Sequence, residues 1–111
     1  MIITREDALD ILRKWFEEGS VIRLQGAFPT FAFGWWGRIV SLNPSELRIM
    51  ADAPDKEFVL RLDSEILQFG YGDDRIVTGE EKKFSDCVVV LVGAVPDTGP
   101  VDTIVLAALK P

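Results

Sequence analysis

The side chains that could do chemistry in this chain are carboxylates, arginines, tryptophans and one thiol. The sequence has 111 residues, with no histidine and a single cysteine, Cys87. Without histidine, the chain has neither a Ser-His-Asp nor a Cys-His catalytic group. Zinc in proteins is held by several thiolates or imidazoles, and one cysteine does not supply them. We therefore predict no metal site and no cofactor.

The triplet Asp97-Thr98-Gly99 is the strongest catalytic candidate. It has the active-site sequence of aspartic proteases, and the segment from Val95 to Leu106 resembles that of the retroviral-type enzymes. This resemblance implies a dimer in which one aspartate from each subunit shares a proton with the other. However, 12 residues follow Gly99, which leaves no room for the flap and the later apolar-apolar-Gly motif of that family. Pro, Asp, Thr and Gly together are typical of a tight turn. We predict a turn and no enzyme, with an aspartic peptidase that uses Asp97 as the alternative.

Aromatic residues are concentrated in one predicted strand and form the second group of candidates. On a regular strand Trp35 and Trp36 point to opposite faces, and Arg38 shares the face of Trp36. Both tryptophans can enter one core only if a bulge interrupts the strand, and Gly34 or Gly37 would permit one. Otherwise the helix or a bend of the strand covers the outer aromatic, or this residue forms a self-association or ligand surface, where Trp beside Arg is favoured. The candidate binding or interface residues are Phe28, Phe31, Trp35, Trp36, Arg38, Arg48 and Arg61.

The charge balance argues against general nucleic-acid binding. Acidic residues number 18 and basic residues 12, which gives a net charge of −6, and such a surface repels phosphate backbones. The first ten residues contain acids and no apolar signal region, and the longest apolar stretches, 87–96 and 103–109, are too short to span a bilayer. We expect a cytoplasmic protein with no nucleic-acid and no membrane partner.

The first element is predicted to be an amphipathic helix over residues 4–18. Thr4 is a capping residue, and Gly19 is placed to end the helix in a left-handed conformation. Apolar residues between Ala8 and Trp15 follow the spacing i, i+3, i+4, i+7. We expect this stripe to pack on an apolar surface.

After the helix the pattern predicts strands throughout. We expect barrel strands over 20–69, a polar loop or hairpin over 70–86 and apolar closing strands over 87–109, all within a single domain, 1–111. The closing strands are apolar on both faces, which is typical of strands covered on both sides. They are therefore expected to lie either between the barrel and the helix or between subunits, and we favour an oligomer.

The hairpin around Pro54-Asp55 has a predicted register. If these two residues form the turn, paired positions sum to 109 and Arg48 faces Arg61. This register places the apolar residues of both strands on one face, and a one-residue slip would mix the two sets. The arginines, with Glu46 and Asp63 diagonal to them, are then expected to form a solvated salt-bridge surface.

A helix followed by a bent antiparallel barrel resembles the Sm-like fold. The first motif of that family is similar to Gly37-Arg38-Ile39-Val40-Ser41-Leu42-Asn43, in which a glycine precedes alternating apolar positions and an Asn. Ser20 to Leu24 matches its first strand, and Leu47 and Ile49 match the apolar positions of its third strand. The resemblance covers about residues 4–69 with a closing strand after them, and it implies a small barrel that assembles into rings.

RNA binding, which many Sm-like proteins perform, does not carry over to this chain. Glu46 stands where RNA-binding members have an Asn before the third strand. The segment Leu62-Asp63-Ser64-Glu65-Ile66 has two carboxylates where those members have a basic turn. The residues that would donate to a base and a phosphate are therefore missing.

We therefore expect a mainly β protein with one N-terminal α-helix and a small, strongly bent, Sm-like antiparallel barrel. Its expected function is that of a non-catalytic, homo-oligomeric binding or assembly module. Two alternatives stay open. The first is a small-ligand-binding barrel that uses the Phe28–Trp36 aromatics, with Arg38 or Arg61, to hold an anionic apolar molecule. The second is an acidic module that binds a basic protein partner.

Overall fold

The chain forms one helix and eight strands in the residues that the computed structural model describes, which are 2–27, 32–52, 56–64, 67–72, 84–92 and 102–109. This confirms the prediction of a mainly β fold with one N-terminal helix. The helix α1 is Arg5–Glu18. The strands are β1 (Ile2–Ile3), β2 (Ile22–Ala27), β3 (Ala32–Asn43), β4 (Glu46–Ala51), β5 (Glu57–Arg61), β6 (Leu67–Tyr71), β7 (Phe84–Val92) and β8 (Asp102–Leu109).

The helix α1 begins and ends at its two predicted capping residues. The Asp7 N–H donates to Thr4 Oγ1 at 3.1 Å, which satisfies one of the free donors of the first turn. Gly19 follows the last turn with a φ of 64°, a left-handed conformation that glycine adopts without steric cost. Nowhere in the described ranges does a helix reach the length and apolarity that crossing a bilayer requires.

All eight strands belong to one antiparallel sheet in the order β1-β6-β7-β8-β2-β3-β4-β5. β1 and β5 are its two edges, and no pairing joins them within the described ranges. The sheet is therefore open, and the predicted closed barrel is wrong. A barrel would require the first and last strands of this order, β1 and β5, to pair with each other, and among the described residues β1 pairs with β6 and β5 with β4.

Each face of the sheet has its own apolar cluster. The inner face, which α1 covers, packs against the buried helix residues Ala8, Leu12 and Trp15. On the opposite, outer face, a smaller group buries Val89, Val105 and Ala107, which we call the outer cluster. The expectation that β7 and β8 are apolar on both faces is thus confirmed. Since a single chain already buries the outer cluster, its burial does not by itself require a second subunit.

The hairpin of β4 and β5 has the predicted faces but a different register. Arg48 lies opposite Val59 rather than opposite Arg61, so that paired positions sum to 107 and not to 109. The Ala51 N–H donates to the Lys56 carbonyl at 2.9 Å, which leaves a four-residue connection in place of the predicted two-residue turn. A two-residue shift keeps every side chain on its face, so the alternation of apolar residues does not detect it.

The strand β3 is bulged, though not at either of the two glycines that would permit a bulge beside the tryptophans. Its pairing with β4 shifts between Ile39 and Ser41 and leaves Val40 48% exposed. Gly34 and Gly37 lie in regular pairing with β2. The strand is therefore regular through both tryptophans, and the two rings lie on opposite faces.

Strands extend into both ends of the segment 70–86, for which a polar loop or a hairpin was predicted. β6 continues to Tyr71 and β7 begins at Phe84. The two strands pair with each other in antiparallel register. Residues 73–83, between them, lie outside the described residues.

Candidate functional site

The two adjacent tryptophans, which the sequence placed in one candidate site, serve different faces of the sheet. Trp35 is half-buried on the inner face, where its ring centroid lies 5.0 Å from that of Phe33. The Lys56 ammonium lies 5.3 Å from the Trp35 ring centroid, within the distance of a cation–π contact. Trp36 is half-buried on the outer face and packs against the outer cluster. The sheet therefore separates the predicted aromatic site into two.

On the outer face, Trp36 lies beside an arginine that is not among the predicted binding residues. The Arg23 guanidinium carbon lies 5.2 Å from the Trp36 ring centroid, and the two residues are direct cross-strand neighbours. A Cβ at Gly34 would come within 2.3 Å of Arg23 Nη2, so glycine at this position leaves the space that the guanidinium occupies. We call Arg23, Gly34 and Trp36 the Arg–Trp platform.

The charge of the platform has no acidic partner in the part of the chain that the structure describes. The ion pairs there involve Arg13, Lys14, Arg48 and Arg61, and none involves Arg23. A guanidinium has five donors and accepts none, so an unpaired one can bind a carboxylate or another planar anion. The platform therefore combines an apolar floor with a cation.

Arg38, a predicted binding residue, has a structural partner. Its Nη1 donates to the Gly19 carbonyl at 3.1 Å, at the point where α1 ends. A helix leaves its last carbonyls without partners, and a cationic side chain there also interacts favourably with the helix dipole. Arg38 thus connects β3 to the end of α1, and this contact explains its position without a ligand.

Arg48 and Arg61, the other predicted arginines, lie in an exposed array of opposite charges. Arg48 donates to Glu46, and its Nη1 donates to Glu57 Oε1 at 2.7 Å. Hydrogen bonding to Glu46, and then to Glu57, raises the pKa of Arg48 above its ordinary value. Arg61 Nη2 lies 3.8 Å from Asp63 Oδ2. This arrangement agrees with the predicted solvated salt-bridge surface, although the predicted pairing of the two arginines is wrong.

The end of the sheet that contains these charges also exposes apolar side chains. Met50 is 40% and Val59 42% exposed, and both lie on the outer face of the hairpin. β5 has β4 on one side and no described strand on the other. The sequence contains a signal for this surface, because strand alternation places Met50 and Val59 on the same face as the arginines, opposite the buried residues of the hairpin.

A third polar group connects α1 to the inner side of the sheet. The Tyr71 hydroxyl donates to Asp86 Oδ1 at 2.8 Å, and Lys14 Nζ lies 3.8 Å from Asp86 Oδ2. Asp86 belongs to the segment predicted to be a polar loop or hairpin, and its contacts with α1 and β6 were not predicted. The group brings together one residue each from α1, β6 and β7, and its hydrogen bond and ion pair are those of a structural contact.

Several predicted residues cannot be placed. Phe28, Phe31 and Asp97 lie outside the described residues, and the proposed turn or peptidase triplet at Asp97 stays a prediction. Within the described ranges, no group of three or more Cys, Asp or Glu side chains has the arrangement of a metal site. The described candidates therefore reduce to the Arg–Trp platform and the open end of the sheet at β5.

Comparison of this chain with protein-family models, with curated proteins and with solved structures gave no match.

Proposed function

We propose that this protein is a non-catalytic module that acts as a homo-oligomer, with the open end of its sheet as the binding surface. The Sm-like resemblance implied self-assembly through a closed barrel, and the proposal keeps the self-assembly but rests it on the edge of an open sheet. General nucleic-acid binding is not part of the proposal, because the net charge is −6.

The observation that supports this proposal most directly is the edge of β5. An exposed strand edge presents free N–H and C=O groups that favour pairing with another chain. Here the edge lies beside the exposed side chains of Met50 and Val59, so that pairing would also remove apolar surface from water. At this end of the sheet, Arg48 and Glu57 form an ion pair within the chain.

The proposal is tested by the native mass of the protein, measured by size-exclusion chromatography with light scattering over a range of concentrations. We expect a homo-oligomer whose absorbance spectrum is that of protein alone. A monomer at every concentration would refute self-association, and a nucleic-acid spectrum in the same peak would refute the exclusion of nucleic acid.

A second candidate function is supported by a different observation, the Arg–Trp platform. A half-buried guanidinium that lies on a tryptophan ring, with no carboxylate partner among the described residues, fits a small molecule with an apolar body and an anionic group. The predicted ligand class is thus retained, while the arginine that would hold the anion is Arg23 rather than Arg38 or Arg61.

This second candidate is tested with a matched pair of compounds, naphthoate and the neutral naphthamide. We expect naphthoate to raise the melting temperature and to change the tryptophan fluorescence, and naphthamide to do neither. Arg23→Met should abolish the response, whereas Arg13→Met, on the exposed side of α1, should not. Equal responses to both compounds, or an unchanged response in Arg23→Met, would contradict an anion site on the platform.

A further inference from the structure

The backbone of β5 shows which of its residues face the open edge. The Ala51 N–H donates to the Lys56 carbonyl and the Leu62 N–H to the Ser45 carbonyl, each at 2.9 Å. In an antiparallel pair, hydrogen-bonded positions alternate with positions whose peptide groups point away. Positions 56, 58, 60 and 62 therefore bond to β4, and positions 57, 59 and 61 direct their N–H and C=O groups to the open edge. We call Glu57, Val59 and Arg61 the edge triplet.

The edge triplet is complementary to itself when it is read in the opposite direction. If a second copy runs antiparallel with Val59 at the centre, Val59 lies opposite Val59 of the second copy. Glu57 then lies opposite Arg61 of the second copy, and Arg61 opposite its Glu57. The peptide groups of these positions have no partner among the described residues, so each of the three pairs can exchange two backbone hydrogen bonds. Opposite charges directly across a pair stabilise it.

In the neighbouring registers, the free peptide groups and the opposite charges do not line up at the same positions. A centre on Leu60 places Glu57 opposite Asp63, two carboxylates that repel each other. A centre on Phe58 places Glu57 opposite Val59 and moves Arg61 past the end of the other β5. Pairs that involve position 58 or 60 at a hydrogen-bonding position would need peptide groups that β4 already uses. The Val59 register is thus the one that satisfies both the backbone and the charges.

Other side chains near the edge also favour the Val59 register. Within one chain, Glu46 lies opposite Arg61, so Arg61 would lie between Glu46 of its own chain and Glu57 of the second copy. The contact of Arg61 with Asp63 is long, at 3.8 Å, and the side chain is 67% exposed, which leaves its donors accessible. On the inner face, Phe58 would meet Leu60 of the second copy and continue the apolar surface.

We infer that two copies of this chain join through their β5 edges, antiparallel and with a two-fold axis at Val59, so that the sheet of one copy continues into the sheet of the other. This inference rests on the proposed self-association and specifies its interface. Natural edge strands are usually protected by lysine, proline or a bulge. The β5 strand has none of these within Glu57–Arg61, and its two charges attract when two copies meet.

The test uses charge reversal at the two ends of the edge triplet. Glu57→Arg alone places arginine opposite arginine, and Arg61→Glu alone places carboxylate opposite carboxylate, so each variant should weaken the dimer about tenfold or more. When the two variants are mixed, every pair again has opposite charges, and we expect a heterodimer. The matched controls Glu18→Arg and Arg13→Glu make the same charge changes on α1 and should leave the mass unchanged.

The possible outcomes test the β5 interface and the homo-oligomeric function independently. Light scattering that shows smaller species for each variant, and the wild-type mass for the mixture, supports the inference. Variants that keep the wild-type mass would place the interface elsewhere and leave the homo-oligomeric function intact. A wild-type monomer at every concentration would overturn both. Because misfolded variants would not recover on mixing, the mixture also distinguishes a broken interface from a failure to fold.

Discussion

At the scale of single residues, two glycines of β3 leave space for different kinds of neighbour. A Cβ at Gly37 would lie 2.4 Å from the Met50 carbonyl oxygen, which is backbone of the paired strand. A Cβ at Gly34 would meet the guanidinium of Arg23 instead. Backbone in the middle of a sheet can move away from an added Cβ only if its interstrand hydrogen bonds are distorted. The end of an arginine side chain can instead rotate away.

The first prediction compares these two positions. We expect Gly37→Ala to lower the free energy of unfolding by about 1–3 kcal/mol, the usual cost of overpacking. Gly34→Ala should cost less than about 1 kcal/mol, since the loss is a displaced cation–π contact. Urea denaturation followed by circular dichroism measures both values. Similar losses for the two variants would show that the Arg23 side chain cannot move as the structure indicates.

The candidate site was predictable from the sequence only where local pattern decides it. The opposite faces of Trp35 and Trp36 follow from strand periodicity alone, and this prediction agrees with the structure. Arg23 was missed because its neighbour Trp36 is 13 positions away in the chain, and only the β2–β3 register brings the two together. Arg38 was predicted because it shares the face of Trp36, whereas its contact with Gly19 depends on where α1 ends.

At the scale of elements, the β4–β5 hairpin has two properties with different causes. The alternation of apolar residues determines which face each side chain occupies, and the turn determines the register of the two strands. Alternation assigns each side chain to a face, and both the predicted and the observed register keep those faces. The length of the connection then selects among registers that differ by two residues. Which residue lies opposite Arg61 is therefore a property of the turn.

The second prediction tests this register with engineered disulfides in a Cys87→Ser background. Glu46→Cys with Arg61→Cys places two cysteines at a directly opposed, non-hydrogen-bonded pair, where the Cα atoms are about 4.5 Å apart, a distance that a disulfide can span. Arg48→Cys with Arg61→Cys places them diagonally, about 7–8 Å apart. We expect mild oxidation to form an intramolecular disulfide in the first pair, as measured by mass spectrometry.

The second pair serves as the control, because it is the one that the register summing to 109 would bring together. Efficient cross-linking there, with little in the first pair, would mean that the hairpin has the register expected from a two-residue turn. In either case the reduced proteins should have the same circular dichroism spectrum.

The elements themselves differ in how far the sequence determined them. The helix was predictable to within a residue, because Thr4, Gly19 and the apolar spacing are all local signals. β1 was not predicted, since Ile2 and Ile3 are too few to show a period. The strand order was beyond the sequence, because the pairing of β2 with β8 joins segments about 80 positions apart, and no local signal records it.

At the scale of the whole molecule, the sheet depends on a strand from the far end of the chain. β8 lies between β7 and β2 and has hydrogen-bonded neighbours on both sides. Its side chains lie in the inner-face core and in the outer cluster. Strands that are hydrogen-bonded on both sides and buried on both faces are the last to unfold locally, whereas edge strands are the first.

The third prediction concerns hydrogen exchange. We expect the amides of β8 and β2 to exchange slowest, with a free energy of opening close to that of global unfolding. The amides of β1, a two-residue edge strand, should exchange by local opening at a much smaller free energy. Exchange followed by NMR at a fixed protein concentration gives both values. Amides of β8 that exchange as fast as those of β1 would contradict the central position of β8.

The central position of β8 also has a consequence for the order in which the protein is made. Of the eight strands, β8 is translated last, so the ribosome completes β2–β5 and β1-β6-β7 before the strand that joins them exists. Until then, β2 and β7 each have an edge without a partner strand, and unpaired edges of a nascent chain attract chaperones or lead to aggregation. Because β8 completes the sheet last, the nascent chain is prone to aggregation until its synthesis is finished.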